Sequence, residues 1–594
     1  MAFPSGGNRR FAGRLALALG LLAVGAALAF AQADAPISSA TLAPPDQVES
    51  GQLAPLAPVE AGQLPPAAGS DGAPASGFGT GFWQGVTASD AATLMAKIEL
   101  PSRSPVLAGL WRRAMLTDEE PAGGAPGQFL AARLDGLYRA GLLKDAAALI
   151  AKSPKSTDAQ QLAARARVLL GLGDDDKACA AVKSIPLSGG PLKGRARNDA
   201  LLMVAFCAAR DKQPNHASLA AEVLRDQNFG EPLALAVLDS IAESKTPKLP
   251  HSDNLTLIDY KFLGLLGNVP AERFLPRAAP DLIVGIANDP AAEPAARRAA
   301  AEAAVRINAM DDAELAALYR TAPIAPQQLA DPASAGTALP PPMRRALLFQ
   351  AAEKGPSPAR KIELVQQLLT AARSDGIFSP IARLAAPIID GIKPTPDLAR
   401  LSEPAIQALL AAGRYDHAVG WILLGGTSAG GPGGNPQLHW LTLVDIGDAE
   451  GHVPHGSSMN YAEDMTAGGG LSPVMLVRLA VVLSALRYEM PPAIKQAAQS
   501  AQQSISKADQ GRPPDAALIP KLQAASKSKF QGQSVLLAMQ TAGANPATSL
   551  HPQALGEVIA ALQAAGLEAD ARRLGQEALF ETWPQRVTGL ANGQ

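Results

Sequence analysis

The chain has 594 residues, more than a single hydrophobic core usually accommodates, so several domains or a repeat array are needed. Aromatic residues make up 4% and charged residues 18% of the chain, which suits helices packed through small side chains better than a β-sandwich. The formal net charge of -2 argues against a nucleic-acid partner, which requires a clustered basic face.

Residues 1–33 have the pattern of a secretory signal peptide. Arg9, Arg10 and Arg14 precede an apolar run over residues 15–30, and two small-residue cleavage patterns follow. We therefore predict a periplasmic or secreted protein after signal cleavage. An uncleaved signal would instead anchor the chain in the inner membrane, facing the periplasm. We expect no membrane span in the mature chain, because no later segment is continuously apolar over 18 residues.

Residues 34–80 consist mainly of Pro, Ala, Gly, Gln and Ser, and they contain no Lys or Arg. Such a segment cannot bury enough apolar surface to offset its ordering entropy, so we predict a disordered, partly polyproline-like linker. Residues 77–83, at its end, hold two phenylalanines and a tryptophan between glycines. This aromatic cluster is expected to cap the first helices, and a docking peptide is the alternative.

Between residues 81 and 320 the apolar pattern predicts recurrent helix-turn-helix hairpins. An apolar stripe at i, i+4, i+7 and i+8 ends at Gly141, and a second helix packs through Ala146. The same frame returns at Gly173 and Ala178. A hairpin cannot bury its apolar face alone, so the repetition predicts a stack, namely an all-α fold organised as an α-solenoid.

The later part of the chain divides into helical and loop-like segments. The hairpin frame returns in two regions: residues 343–424 with Gly413 and Ala418, and residues 471–594 with Gly566 and Ala571. Residues 321–342 are rich in proline and are predicted to form a loop between helical regions. Residues 425–470 begin with a run of Gly, Ser, Pro and Asn, which predicts a long loop insertion that could carry function.

The hairpin frame resembles the tetratricopeptide repeat. Alanine follows the turn glycine by five positions, and the large apolar residues Leu137 and Leu130 precede Gly141 by four and eleven. That family uses the glycine where its first helix turns and the alanine where its second helix packs closely. The period from Gly141 to Gly173 is 32 residues rather than the family's 34. The resemblance therefore implies the broader tetratricopeptide-like helical class, with a concave peptide-binding groove.

One short motif is typical of catalysis. Residues 426–430 read Gly-Thr-Ser-Ala-Gly, which looks like the nucleophile elbow of patatin-type lipases with Ser428 as nucleophile. That elbow needs a strand before the serine and a helix after it. Here a predicted helix precedes the motif and Gly-Gly-Pro-Gly-Gly follows it. We therefore expect no catalytic residue, and Ser428 is the weak candidate of an alternative hydrolase function.

Six residues in the predicted insertion are of types that ligate zinc: His439, His452, His455, Asp445, Asp448 and Glu450. Their spacings match no recognised ligand pattern, and no H-E-x-x-H sequence occurs. A solvated loop with scattered histidines fits these spacings better. We therefore expect neither a metal nor a cofactor.

Cys179 and Cys207 are the only cysteines, an even pair in a chain predicted to be exported. They fall on neighbouring predicted helices. An antiparallel register places Cys179 nearer Leu201 than Cys207, a mismatch of about 9 Å, so a bridge requires a skewed helix crossing. A disulfide and two buried thiols both remain open.

These features predict a non-enzymatic scaffold in the cell envelope, which binds another envelope protein or a peptide segment of one. Two alternatives remain. The first is an envelope-remodelling hydrolase, or its accessory subunit, that uses the Gly-rich insertion. The second is a structural envelope protein that self-associates.

Overall fold

The computed structural model describes residues 78, 80–124, 127–153, 158–185, 192, 194–226, 232–243, 255–267, 275–424 and 435–584. The predicted signal peptide, nearly all of linker 34–80 and Ser428 lie outside the described residues. All described residues belong to one packed unit, which spans residues 73–594.

The described part of the chain is helical apart from turns, short 3-10 segments and one isolated bridge between Leu255 and Ala278. Consecutive helices pack against each other, so the predicted all-α solenoid is confirmed. The α-helices, in chain order, are α1 Ala88–Ala96, α2 Pro105–Met115, α3 Gln128–Arg139, α4 Leu143–Lys152, α5 Ala159–Gly171, α6 Asp175–Lys183, α7 Gly194–Arg210, α8 Pro214–Asp226, α9 Pro232–Glu243, α10 Leu257–Gly264, α11 Pro280–Asn288, α12 Pro294–Arg306, α13 Asp312–Arg320, α14 Pro326–Ala330, α15 Pro332–Ala335, α16 Pro341–Lys354, α17 Pro358–Ser374, α18 Phe378–Asp390, α19 Ser402–Ala411, α20 Tyr415–Leu424, α21 Leu441–Gly447, α22 Met459–Ala467, α23 Pro473–Ala485, α24 Pro492–Ser504, α25 Leu518–Lys527, α26 Gln531–Ala542, α27 Pro552–Ala564 and α28 Glu568–Phe580.

A shared turn ends the first helix of each hairpin that the glycine pattern identified. Gly141, Gly173, Gly413 and Gly566 have φ between +68° and +84°. The N–H after each glycine donates to the carbonyl oxygen five residues earlier at 2.9 Å, which satisfies the helix end. Five positions after each glycine stands an alanine at most 3% exposed: Ala146, Ala178, Ala418 and Ala571. These positions therefore serve the turn and the close packing of the second helix.

Four further hairpins use the same turn without glycine. Lys212, Asn308, Arg487 and Lys529 have φ between +57° and +62°, and they end α7, α12, α23 and α25. The same hydrogen bond follows each of them, at 2.8 to 3.0 Å. The left-handed conformation is unfavourable for lysine and arginine and is tolerated better by asparagine, so the sequence carries no glycine signal at these turns. The array is therefore more regular than its glycine pattern indicates.

Substitutions at a glycine turn and at a non-glycine turn are expected to change the unfolding free energy in opposite directions. A Cβ at Gly173 would meet no heavy atom within 4 Å, so only backbone strain acts there. We expect Gly173→Ala to lower the unfolding free energy by about 1 kcal/mol, and Lys212→Gly to raise it by about 0.5–1 kcal/mol. Urea unfolding followed by circular dichroism measures both changes. Effects of the same sign would contradict a shared left-handed turn.

The segment 321–342, predicted to be a loop, is in part helical. It contains α14 and α15, and α16 begins at Pro341. Pro326, Pro332 and Pro341 each occupy the first position of a helix, where the missing N–H has no intrahelical partner and the fixed φ favours the helix. These prolines start helices, which corrects the predicted loop.

The predicted loop insertion 425–470 is also corrected over its described part, residues 435–470. This part contains α21 and α22, and every residue of α21 is buried. Helix α21 packs against α28, so α21 belongs to the core. A short helix that is buried on all sides has no alternation of apolar and polar residues, which explains the incorrect prediction.

The two ends of the array meet at a seam between α2 and the helices α26 and α28. The N–H of Gly532 donates to the carbonyl oxygen of Phe82 at 2.8 Å. Arg113 on α2 forms an ion pair with Asp570 on α28 at 2.6 Å. The described solenoid therefore closes on itself along this seam.

The aromatic cluster at the start of the described chain lies against this seam. Phe82 and Trp83 are at most 3% exposed, and Phe78 stacks on Phe82 with ring centroids 4.2 Å apart. Trp83 meets Phe129 of α3 edge-on, with ring centroids 5.0 Å apart. The cluster thus packs as a cap, the first of the two roles expected for it, and its two largest rings are buried.

Glu577 on α28 joins three segments at the seam. Its carboxylate accepts hydrogen bonds from the Ser104 hydroxyl at 2.8 Å and from the N–H groups of Val106 and Ala547 at 3.2 and 3.4 Å. Burial raises the pKa of Glu577 to about 7, although these hydrogen bonds act in the opposite direction. A carboxyl group with a pKa of about 7 therefore connects α28 with the start of α2.

Stability is expected to fall as the pH rises towards the raised pKa of Glu577. Between the ordinary pKa of 4.5 and about 7, the folded chain keeps this proton and the unfolded chain loses it. The unfolding free energy therefore falls with rising pH, by at most about 3 kcal/mol, and the decrease ends above the folded-state pKa.

Thermal melts from about pH 4 to about pH 8 measure this effect in the native chain and in Glu577→Gln, which cannot ionise. The variant is expected to lose this part of the pH dependence. Glu222→Gln, at an exposed position of α8, is the control. Parallel profiles for Glu577→Gln and the native chain would contradict the assignment.

Candidate functional site

The residues considered as zinc ligands hold a loop together instead. Asp445 is buried and accepts from the N–H and hydroxyl groups of Ser458 at 3.3 and 2.7 Å. Asp448 accepts from the N–H of His452 at 2.6 Å. His439 is buried between two backbone carbonyl oxygens, and this burial lowers its pKa. Among the described residues, no three His, Cys, Asp or Glu side chains are placed to hold a metal ion.

Cys179 on α6 and Cys207 on α7 form a disulfide, with 5.7 Å between their Cα atoms. An in-register antiparallel pair of helices would hold the two residues about 9 Å out of step along the axis. Helices α6 and α7 therefore depart from that simple register, and their packing brings the two cysteines within bridging distance. Of the two states that the sequence left open, the structure contains the disulfide.

Removing the disulfide is expected to destabilise the fold. The bridge spans a sequence separation of 28 residues, and a closed loop of this length contributes about 2–4 kcal/mol. The double variant Cys179→Ala, Cys207→Ala should therefore unfold at lower urea concentration than the native chain. Dithiothreitol should shift the native transition towards that of the variant and leave the variant unchanged. A reductant-insensitive native chain would contradict this contribution.

A cavity of about 450 Å³ lies on the inner side of the first three described hairpins, and we call it the concave pocket. Helices α3, α5 and α7 form one side, and the N-terminal ends of α10 and α11 contribute Ile258 and Asp281 to the other. The lining of the pocket from the hairpins comprises Asp135, Tyr138, Arg139, Arg167, Leu170, Asp199, Leu202 and Met203.

The lining residues occupy matching positions on successive helices. Two sets recur at intervals of 32 residues: Asp135, Arg167 and Asp199, and Tyr138, Leu170 and Leu202. This interval equals the period between the turn residues Gly141 and Gly173. The first helices of the three hairpins, α3, α5 and α7, therefore place equivalent positions at the pocket. We call the polar set, with its alternating charges, the charged ladder.

The sequence prediction did not include the charged ladder, although a signal for it exists. Asp135 and Arg167 each stand six positions before a turn glycine, so the repeat frame makes them equivalent. That frame does not show which face of the stack is concave. Only the packing of α10 and α11 across α3, α5 and α7 encloses this set of positions.

Arg167 lies at the centre of the charged ladder with its donors largely unused. Its guanidinium nitrogens are 3.7 Å from Asp135 and 3.5 Å from Asp199. Within the described part of the chain Arg167 makes no hydrogen bond, and its Nε is buried without a partner. The guanidinium lies over the ring of Tyr138, 5.0 Å from the centroid, which favours one orientation. The pocket therefore contains a planar set of donors held in place.

A buried hydrogen bond forms the back of the concave pocket. The Tyr138 hydroxyl donates to Asp281 at 2.6 Å. Burial raises the pKa of Asp281, against the effect of this hydrogen bond and of nearby backbone N–H groups. Burial also raises the pKa of Tyr138, so its phenol stays neutral and remains a donor.

The charged side chains of the pocket favour a cationic ligand. The lining includes the aspartates 135, 199 and 281 and the arginines 139 and 167, which gives a formal net charge of -1. Arg139 is engaged within the protein, because it donates to the carbonyl oxygens of Met95 and Ile98 at the end of α1 and to the Asp135 carboxylate at 2.9 Å. Arg167 is thus the lining cation that is available to a ligand.

A scan of the sequence against protein-family models finds no match, and a search among curated proteins finds no similar sequence. None of the helices in the described ranges combines the length and the apolar character that a membrane crossing requires. The function is therefore inferred from the residues of this chain.

Proposed function

We propose that this chain is an exported helical-repeat scaffold whose concave pocket binds a basic, extended segment of another envelope protein. The charged ladder carries the proposal, because it places acceptor, donor and acceptor side by side on three stacked helices. A volume of about 450 Å³ accommodates a few residues of a peptide but no folded domain.

The chemistry of the pocket complements an extended peptide. Arg167 donates to a carbonyl oxygen of the bound segment, and its fixed orientation limits the entropy lost on binding. The Oδ1 oxygen of Asp135, whose Oδ2 oxygen accepts from Arg139, accepts from a lysine or arginine side chain that enters beside Arg167. Leu170 and Leu202 provide the apolar contact. The formal net charge of -1 favours basic segments over acidic ones.

Two observations support export to the envelope. Residues 1–33 have the arginines, apolar run and small-residue ending of a signal peptide. The disulfide between Cys179 and Cys207 is a bond that persists in oxidising compartments such as the periplasm. A cleaved signal leaves the scaffold in the periplasm or secreted, and a retained signal anchors it to the inner membrane.

The two alternative functions lead to different experiments. The hydrolase depends on Ser428, which lies outside the described residues, and Ser428→Ala abolishes activity only if this serine is the nucleophile. The self-associating protein requires an oligomer that grows with concentration, which sedimentation detects. The charged ladder favours the scaffold, because it offers a set of donors and acceptors that lines the pocket.

Changing Arg167 is expected to weaken binding of a basic peptide. The probe is a fluorescein-labelled peptide of about ten residues with two lysines in an Ala/Gly background. The comparison peptide has two glutamates in place of the lysines. We expect the lysine peptide to bind more tightly. Arg167→Ala should weaken its binding about 10–100-fold, because a charge-assisted hydrogen bond is lost, and Arg167→Lys should restore only part of it.

Matched controls separate this effect from a general loss of the fold. Arg165→Ala removes an exposed arginine from the same helix and is expected to leave peptide affinity unchanged. Ser428→Ala should also leave it unchanged. Fluorescence anisotropy at two salt concentrations gives all the affinities. Equal binding of the two peptides, or equal losses for Arg165→Ala and Arg167→Ala, would contradict the proposed function.

A further inference from the structure

The last hairpins are not stacked in the order in which they occur along the chain. Helix α23 packs against α24 and also against α27, whereas α25 and α26 lie on other sides of α27. Helix α26 in turn reaches α1 and α2 at the seam. In a regular stack the hairpin after α24 would lie beside it. That position beside α24 is left open here.

The open position is a groove of about 960 Å³ between α24 and α27, with α23 as its floor, and we call it the α23 groove. Its floor presents Val477, Val481 and Ser484, which stand at helical spacing i, i+4 and i+7. Val481 is half-buried and Ser484 is exposed. Val477 is only 5% exposed, whereas Ala480 and Ala485, which also line the groove, are half-buried like Val481. The accessible floor is therefore narrow and mostly apolar.

The opposite face of α23 is already part of the core. Met475, Leu479 and Leu483 on that face are at most 2% exposed. A helix that is apolar on two faces needs partners on both sides, and here the described chain covers one. The second stripe thus indicates a partner that takes the position of the missing hairpin.

The two walls of the α23 groove carry opposite charges. Lys495 on α24 makes no ion pair or hydrogen bond within the described ranges, and its side chain is exposed. Glu557 on α27 accepts a hydrogen bond from Gln523 at 2.8 Å. A ligand in the groove therefore meets Lys495 on one flank and a carboxylate on the other, and the exposed Arg487 adds a second cation just after α23.

We propose that the α23 groove binds an amphipathic helix of a partner protein. A helix fits because the groove replaces one position in a stack of helices, and the 13 residues of α23 provide a floor about 20 Å long. The bound helix presents an apolar stripe of small and medium side chains to α23. It places an acidic residue towards Lys495 and a basic residue towards Glu557.

This surface is separate from the concave pocket, because the two are lined by different helices. The proposal does not depend on peptide binding at Arg167. A chain with both surfaces brings an extended segment of one partner and a helix of another onto one rigid array.

The test uses the full chain and two stapled helical peptides of about 18 residues with the same Leu/Ala stripe. One peptide has glutamates on one flank and lysines on the other, and the second has lysines on both flanks. The first peptide can bind in either chain direction along the groove, and reversing the direction exchanges its two flanks. One of the two directions therefore places its glutamates towards Lys495 and its lysines towards Glu557. The native chain is expected to prefer the Glu/Lys peptide by about 2–5-fold, as exposed charge pairs allow.

Lys495→Glu makes both walls acidic and is expected to reverse this preference without unfolding the chain, because Lys495 is exposed. Ser484→Trp fills the groove and should weaken the Glu/Lys peptide by at least about tenfold. Gln503→Trp, at an exposed position of α24 outside the groove, is the matched control. Fluorescence anisotropy measures all affinities.

Three results would overturn the proposal. The first is that neither peptide binds the native chain, or that Ser484→Trp and Gln503→Trp have the same effect. The second is that a proline-interrupted, non-helical version of the peptide binds equally well, which would assign the groove to an extended segment. The third is a native dimer that Ser484→Trp converts to monomer in sedimentation experiments, which would assign the groove to a second copy of the chain.

Discussion

The seam between α2 and α28 is the contact on which the arrangement of the described helices depends. A stack of hairpins leaves an apolar face uncovered at each end, and such faces need polar capping units or a partner. Here the two ends cover each other. Glu577 and Asp570 on α28 bind Ser104 at the start of α2 and Arg113 on α2. The seam is therefore held by directional bonds as well as by apolar contact.

Closure of the array gives its inner side a different character from that of an open solenoid. An open concave groove is accessible along its whole length, whereas here α10 and α11 close off part of it. Within the pocket, Arg167 and Asp199 are 23% and 21% exposed in their side chains, so their interaction is less screened than that of fully exposed charges. The repeat period then has a chemical consequence, because equal spacing places Asp135, Arg167 and Asp199 in one row.

The displaced hairpin α25/α26 connects the seam to the second surface. Because α26 packs against α1 and α2, it is not beside α24, and the space beside α24 becomes the α23 groove. The contacts that close the array thus also leave a helix-sized position open. The α23 groove therefore follows from the way the stack ends, whereas the concave pocket follows from the packing of α10 and α11.

The sequence by itself determined the features that depend on local physics. The 3.6-residue periodicity identified most helices, and Gly141 or Gly566 marked turns because glycine adopts a positive φ at little cost. Only the tertiary structure decided the rest. The hydrogen bond that closes each turn accompanies the left-handed conformation of Lys212 and Lys529. Burial on every side hides α21 from any periodicity, and the packing of α6 on α7 decides whether Cys179 meets Cys207. The concave pocket and the α23 groove depend on which helices become neighbours, and long-range contacts set that choice because local sequence carries no information on them.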